Sequence, residues 1–241
     1  MIVAEEDWTV ISNCAEIQTT SASDAKEFSR ALKRYVVDED SPIVTAFGDK
    51  KIIAHEYSRS KPISTYLYCI VAGAFDALEP SKGQEHPTIP MKLYCRKSLR
   101  EHTEKIKDDW FRITQRGIAF YEKMFSTPYP FGKFDQVLCP DYSMGAMENV
   151  GCVTYNDEYV PRGEAFTRNR QENIFNTILH EISHMWFGNL VTMKWWDDLW
   201  LNESFANMIS YMCMDEAEGL EDVTLAWNIF LNEQSWGLMT D

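Results

Sequence analysis

No run of this 241-residue sequence is apolar for long enough to cross a bilayer. The best stretch, residues 66–75, is half the length a membrane helix needs and contains Gly73. Residues 1–7 are acidic and lack the basic and apolar blocks of a secretory leader. Positive charge is in short supply: 23 Lys and Arg against 37 Asp and Glu leave a net charge of −14. That balance disfavours nucleic acid and anionic membrane as partners and suits a cationic ligand, although most of the excess is expected on solvated surface. There is no Cys-x-x-Cys pair. The six cysteines are scattered (Cys14, Cys69, Cys95, Cys139, Cys152, Cys213) and mostly lie in apolar stretches, as buried thiols do in a reducing compartment, so a cytoplasmic protein is expected. Internal repeats and low-complexity linkers are also missing. What remains is 45% hydrophobic residues, enough for a sizeable core in one large domain or two small ones.

Hydrophobic patterning predicts an α+β chain. Residues 8–12, 43–47, 51–55 and 65–72 read as strands, with a polar turn after the first. A loop holding Glu79, Pro80, Gly83, Pro87 and Pro90 breaks the pattern, and a domain boundary is placed near residue 80, dividing the chain into 1–80 and 81–241. Beyond it, 91–95, 134–138 and 152–155 read as strands. Residues 101–125 and 169–187 read as helices, the latter with Asn169 and Glu172 as a capping box and Gly188 at its end. Further helices are predicted from about 198 to before 219, and from 224 onward.

Five of those residues carry more information than the rest. His180-Glu181-Ile182-Ser183-His184 places two imidazoles one helical turn apart on one face, where both can grip a single ion. Glu203, separated from His184 by eighteen residues, is positioned to add an anionic ligand. Three protein ligands leave a fourth position for water, the mark of a catalytic rather than a structural zinc site, and Glu181 is the natural base for that water. An amphipathic core helix with two satisfied histidines is the competing reading, because Ile174, Ile178 and Ile182 do form an apolar stripe. It leaves costly ionisable groups beside the core without a purpose. A second cluster, Gly145-Ala146-Met147-Glu148-Asn149, lies between two predicted strands. Glycine permits close backbone approach there, an exposed strand edge can pair with an extended peptide, and Glu148 could hold a terminal ammonium.

Taken together the two clusters resemble the M1 family of zinc aminopeptidases. The likeness extends to Pro62-Ile63-Ser64-Thr65-Tyr66-Leu67, to Pro128-Tyr129-Pro130-Phe131-Gly132-Lys133-Phe134-Asp135, and to the run from Trp186 to Glu203. The resemblance implies the end of an N-terminal β domain followed by the first part of a thermolysin-like zinc catalytic domain. It implies one Zn2+ held by His180, His184 and Glu203, with Glu181 as the catalytic base. Glu148 would anchor the free α-amino group of a peptide substrate. Gly145 and Ala146 would meet its backbone, Met144 would line the first side-chain pocket, and Met147 and Asn149 complete the substrate-binding motif.

The chain departs from the family in ways that bear on activity. The family's oxyanion-stabilising Tyr lies well downstream of the third ligand, whereas Tyr211 is the sole Tyr after Glu203. The amine-binding element of the family's N-terminal domain has no counterpart upstream of Asn13. A central slice of a larger enzyme, weakly active or inactive alone, is therefore expected. A thermolysin-type endopeptidase and an inactive zinc- or peptide-binding pseudoenzyme are the alternatives.

Overall fold

Strands buried on both faces lose the usual in–out alternation. That is how residues 135–139 and 152–156 behave in the computed structural model, which describes residues 1–35, 37, 41–83, 86, 88–163, 167–217, 220, 226–227 and 230–231. In chain order the elements are β1 (Ile2–Glu5), β2 (Thr9–Ser12), β3 (Glu16–Ser21), α1 (Ala25–Arg34), α2 (Pro42–Thr45), β4 (Ile52–Tyr57), β5 (Ile70–Gly73), β6 (Phe75–Leu78), β7 (Leu93–Arg96), α3 (Arg100–Glu104), α4 (Lys107–Met124), β8 (Asp135–Cys139), β9 (Ala146–Met147), β10 (Cys152–Asn156), α5 (Arg168–Ser183) and α6 (Trp200–Glu216).

The mixture is α+β. A five-stranded sheet runs β6-β7-β8-β10-β9, with β7, β8 and β10 parallel to their neighbours and β6 and β9 antiparallel at the edges. Its inner face, through Leu93, Leu138, Val153 and Tyr155, shares one core with α4, α5 and α6. Trp110 Nε1 and the Tyr155 hydroxyl both donate to Gln136 Oε1, which satisfies the polar atoms of a buried cluster. Two smaller sheets, β1-β4-β3 and β2-β5, make up the first part of the chain. Before residue 80, β6 is already an edge of the five-stranded sheet. Asn13 ties the parts together: its Nδ2 donates to the carbonyls of Leu67 and Val150, each at 2.8 Å, and its Oδ1 accepts from Cys69 N.

Several expected elements change. Residues 43–47 are not a strand; Pro42 opens the short helix α2, as its fixed φ favours at a first helical position, and the Ser41 carbonyl accepts from the amides of Val44 and Thr45. The polar stretch after β2 holds β3, whose mostly exposed side chains hide its pairing with β4, and α1, capped by Asp24 and buried through Phe28, Ala31 and Leu32. Residues 65–67 form a 3-10 turn and the strand begins only at Ile70. The helix expected over 101–125 is broken at Lys105 and Ile106 into α3 and α4. The cap of α5 is Thr167, whose side chain accepts from Arg170 N, rather than Asn169; Glu172 is instead bonded to Arg168 Nε at 2.8 Å. That helix stops at Ser183, short of Phe187. The helix expected from 224 falls largely outside the described residues.

Candidate metal centre

The last turns of α5 are deeply embedded. Ile178, Leu179, Ile182 and Ser183 are wholly inaccessible, and Gly117 of α4 permits this, because a Cβ there would lie 2.5 Å from Leu179 Cδ2. His180 is the face of this helix that looks out of the core, and His184, just past its end, keeps helical backbone angles (φ −59°, ψ −22°). The chain then reverses at Gly188, whose φ of +116° suits glycine. That reversal brings the Phe187 carbonyl back to His184, whose Nδ1 donates to it at 3.0 Å. The bond makes Nδ1 the donor and turns Nε2 toward His180 and Glu203, the arrangement seen in ligating histidines.

His180 Nε2 and His184 Nε2 are 3.0 Å apart, and Glu203 Oε2, from the first turn of α6, lies 3.4 Å from one and 3.6 Å from the other. Ligands about 2.0–2.1 Å from a tetrahedral zinc ion lie roughly 3.3 Å from one another. The three observed edges bracket that length, so the donor set fits one such ion. Among the described residues this is the only group of three or more His, Cys, Asp or Glu side chains placed to hold a metal.

Electrostatics within the cluster are strong. Burial pushes the Glu181 carboxyl up to about 8, with Glu148 and Glu203 adding to the rise against the opposing pull of His184. Its Oε2 is buried and has no hydrogen-bond partner among the described residues. Hydrogen bonds to His180 and His184 hold Glu203 well below the usual carboxylate range. Burial depresses His180. At His184 burial acts in the same sense, but the bond to Glu203 and the charges of Glu148, Glu181 and Glu203 outweigh it and lift the ring to about 9.

The second cluster lies at the sheet edge next to this centre. β9 pairs with β10 on one side, with Ala146 opposite Tyr155 and Met147 opposite Thr154, and it ends the sheet on the other. Gly145 accepts from Asn156 N, and a Cβ on it would meet the Tyr159 hydroxyl at 3.0 Å. Met144 is half exposed. Asn149 is turned inward and donates to Thr154 Oγ1. Glu148 is buried, and its carboxylate accepts no hydrogen bond from the described residues, yet its charge acts on His180, Glu181 and His184.

Three residues at the centre were not singled out from the sequence. Asn189 Nδ2 donates to the Glu148 carbonyl at 2.8 Å, coupling the turn after α5 to the β9 segment. Asn202, beside Glu203, is buried and donates to the Tyr66 hydroxyl. Asn189, Asn202 and Tyr66 all lie in segments that carry the family resemblance, and no other signal pointed to them. Ser183 donates to the His180 carbonyl, and Tyr211 is fully buried on the core face of α6 against Phe230.

Comparison with known proteins places the chain in one family. The sequence model for the peptidase family M1 domain matches residues 110–241. The chain is 38% identical over 187 residues to Aminopeptidase N of Streptomyces lividans, an overlap of 77% of this chain and 21% of that protein. It is 37% identical over 216 residues to Aminopeptidase N of Lactobacillus delbrueckii subsp. lactis (88% and 24%), and 36% identical over 203 residues to Aminopeptidase M1-D of Oryza sativa subsp. japonica (83% and 22%). The chain thus spans between a fifth and a quarter of the length of these relatives.

Proposed function

Because this chain belongs to peptidase family M1, we propose that it carries the metal centre of a zinc-dependent aminopeptidase that removes single residues from peptides with a free N-terminus. The observation that carries the reading is the convergence of His180, His184 and Glu203 on a tetrahedral edge length beside the buried carboxyl of Glu181, whose Oε2 has no partner among the described residues. A zinc ion bound there supplies Lewis acidity, polarising a scissile carbonyl and acidifying water.

The chain's own residues do the rest. Glu181 acts as base in its carboxylate form, which a neighbouring dication would favour against the effect of burial; it accepts the proton of the attacking water and returns it to the leaving amine. Glu148 offers an unengaged carboxylate to the substrate's ammonium group, which sets where the peptide begins and so which carbonyl reaches the metal. Gly145, Ala146 and Met147 offer the open edge of β9 to the substrate backbone, and Met144 meets the first side chain. In this reading Asn149 acts on substrate only through the backbone, since its side chain serves Thr154. The first 80 residues act as a β-rich platform against which the catalytic part is set, and the four buried free thiols support a reducing compartment such as the cytoplasm. No helix among the described residues is long and apolar enough to cross a membrane.

The 241-residue polypeptide is expected to hold one zinc ion and to turn over slowly, because Tyr211 is in the core and loss of an oxyanion donor costs about 10²- to 10³-fold in rate. Metal analysis after dialysis, followed by hydrolysis of an amino-acid amide and of its N-acetylated form, tests the reading. One zinc per chain with slow, chelator-sensitive release from the free amine alone supports it. Cleavage of acetylated peptides at internal bonds would point to an endopeptidase, and a chain that takes up no zinc would end the proposal.

A further inference from the structure

We infer that Tyr66 is a positioning residue for Glu203, acting through Asn202 to hold the third metal ligand in register with the two histidines. The inference rests on the zinc reading above and extends it to a residue 137 positions away in sequence.

The start of α6 has little else to locate it. Leu199 provides no side-chain cap, and the residues around it stand in solvent: Trp196 is 52% exposed, Trp200 59% and the Glu203 side chain 50%. Asn202 is the exception, with 3% exposure. Its Nδ2 donates to the Tyr66 hydroxyl at 3.4 Å, and its amide packs on Gly188, where a Cβ would lie 3.3 Å from both Asn202 Nδ2 and His184 Nδ1. One buried amide therefore touches the turn that orients His184 and, through its own backbone, carries Glu203. The Tyr66 ring also meets Trp196 with centroids 5.4 Å apart, so it grips both sides of the helix start.

Tyr66 is itself anchored. It sits in the 3-10 turn Thr65–Leu67, where Leu67 is fully buried and its carbonyl accepts from Asn13 Nδ2. The same Asn13 amide holds the Val150 carbonyl, two residues from Glu148. Burial and the charges of Glu148 and Glu203 push the Tyr66 phenol up to about 12, which places it within electrostatic reach of both functional carboxylates and keeps it neutral. Partners that orient metal ligands typically contribute 10- to 100-fold to metal affinity.

The test is zinc competition against a chromophoric chelator on the 241-residue chain, for wild type, Tyr66→Phe, Glu203→Ala and the double variant. Tyr66→Phe is expected to weaken zinc binding about tenfold, and to weaken it no further when Glu203 is already Ala. Cobalt substitution should show a reduced d–d band in Tyr66→Phe, reporting altered ligand geometry. Equal affinity for wild type and Tyr66→Phe would overturn the inference, as would the same loss in the Glu203→Ala background, since a general packing defect acts with or without the ligand. If Tyr66→Phe lowers metal-free stability, the paired backgrounds share that loss and the comparison still reads the coupling. A wild-type chain without zinc affinity would instead sink the functional proposal from which this one starts.

Discussion

The two helices that supply the three proposed ligands are embedded very differently. The C-terminal end of α5 is walled in by α4, α6 and the sheet, and the His184 side chain is 1% exposed. The N-terminal end of α6 lies under a skin of exposed apolar residues, with Trp195 67% exposed and Leu199 and Leu201 each 40%. Both histidines are thus oriented by a core that must exist for the chain to fold at all. Glu203 depends on a few specific contacts that contribute little to folding. In the proposed centre two ligands are preset, and the third is held by a local clamp.

The contrast can be broken by mutation. Ile182→Ala, in the buried stripe of α5, is expected to cost about 2–5 kcal/mol of stability, read as a lowered urea midpoint with unchanged slope. His184→Ala removes one ligand of a site. With about 10–16 kcal/mol spread over the four ligands of a structural zinc centre, the loss is roughly 3 kcal/mol, at least about a hundredfold in zinc affinity by chelator competition. Glu203→Ala is expected to lose less than His184→Ala, because its position is the less preorganised of the two; an equal or greater loss would contradict the contrast.

Protonation sharpens it further. The folded chain keeps Glu181 protonated up to about 8, whereas an ordinary carboxyl ionises near 4.5. Between those values the folded state binds more protons than the unfolded state, so stability of the metal-free chain falls as pH rises through this window and levels above it. His184, lifted from 6.5 to about 9, contributes a fall of the same sign over its own window. Urea midpoints of chelated wild type and Glu181→Gln across pH 5–8 should show the decline in wild type and a flatter profile in the variant. A parallel decline in both would remove Glu181 as its source. The smallest effect is expected at the α6 start, where Trp200→Ala should shift stability by no more than about 0.5 kcal/mol. A larger loss would show that the exposed skin supports the fold after all.

The parts of the centre that could be read from sequence were those governed by local geometry. Histidines at 180 and 184 meet because a helix turns every 3.6 residues, and the isoleucine stripe at 174, 178 and 182 predicts which side is buried. The parallel strands β8 and β10 were visible as short apolar runs for the same reason. Elements whose pattern is diluted were missed: β3 shows a mostly polar surface and pairs with β4 alone, and α1 is ten residues long in a Ser- and Thr-rich neighbourhood. The break between α3 and α4 was also invisible, because both segments carry the same helical spacing. No periodicity links Tyr66 to Asn202 or Glu148 to Asn189, which are 136 and 41 residues apart.

Residue order alone determined that an i, i+4 histidine pair, an adjacent glutamate and a later glutamate were available, since the helix repeat needs nothing beyond its neighbours. Only the folded chain decided that Glu203 reaches the histidines at 3.4 and 3.6 Å, that Glu181 is buried enough to hold its proton, and that Glu148 is within electrostatic range. Those three facts depend on how far the solvent is excluded and on which distant segments close around the site, and both are properties of packing.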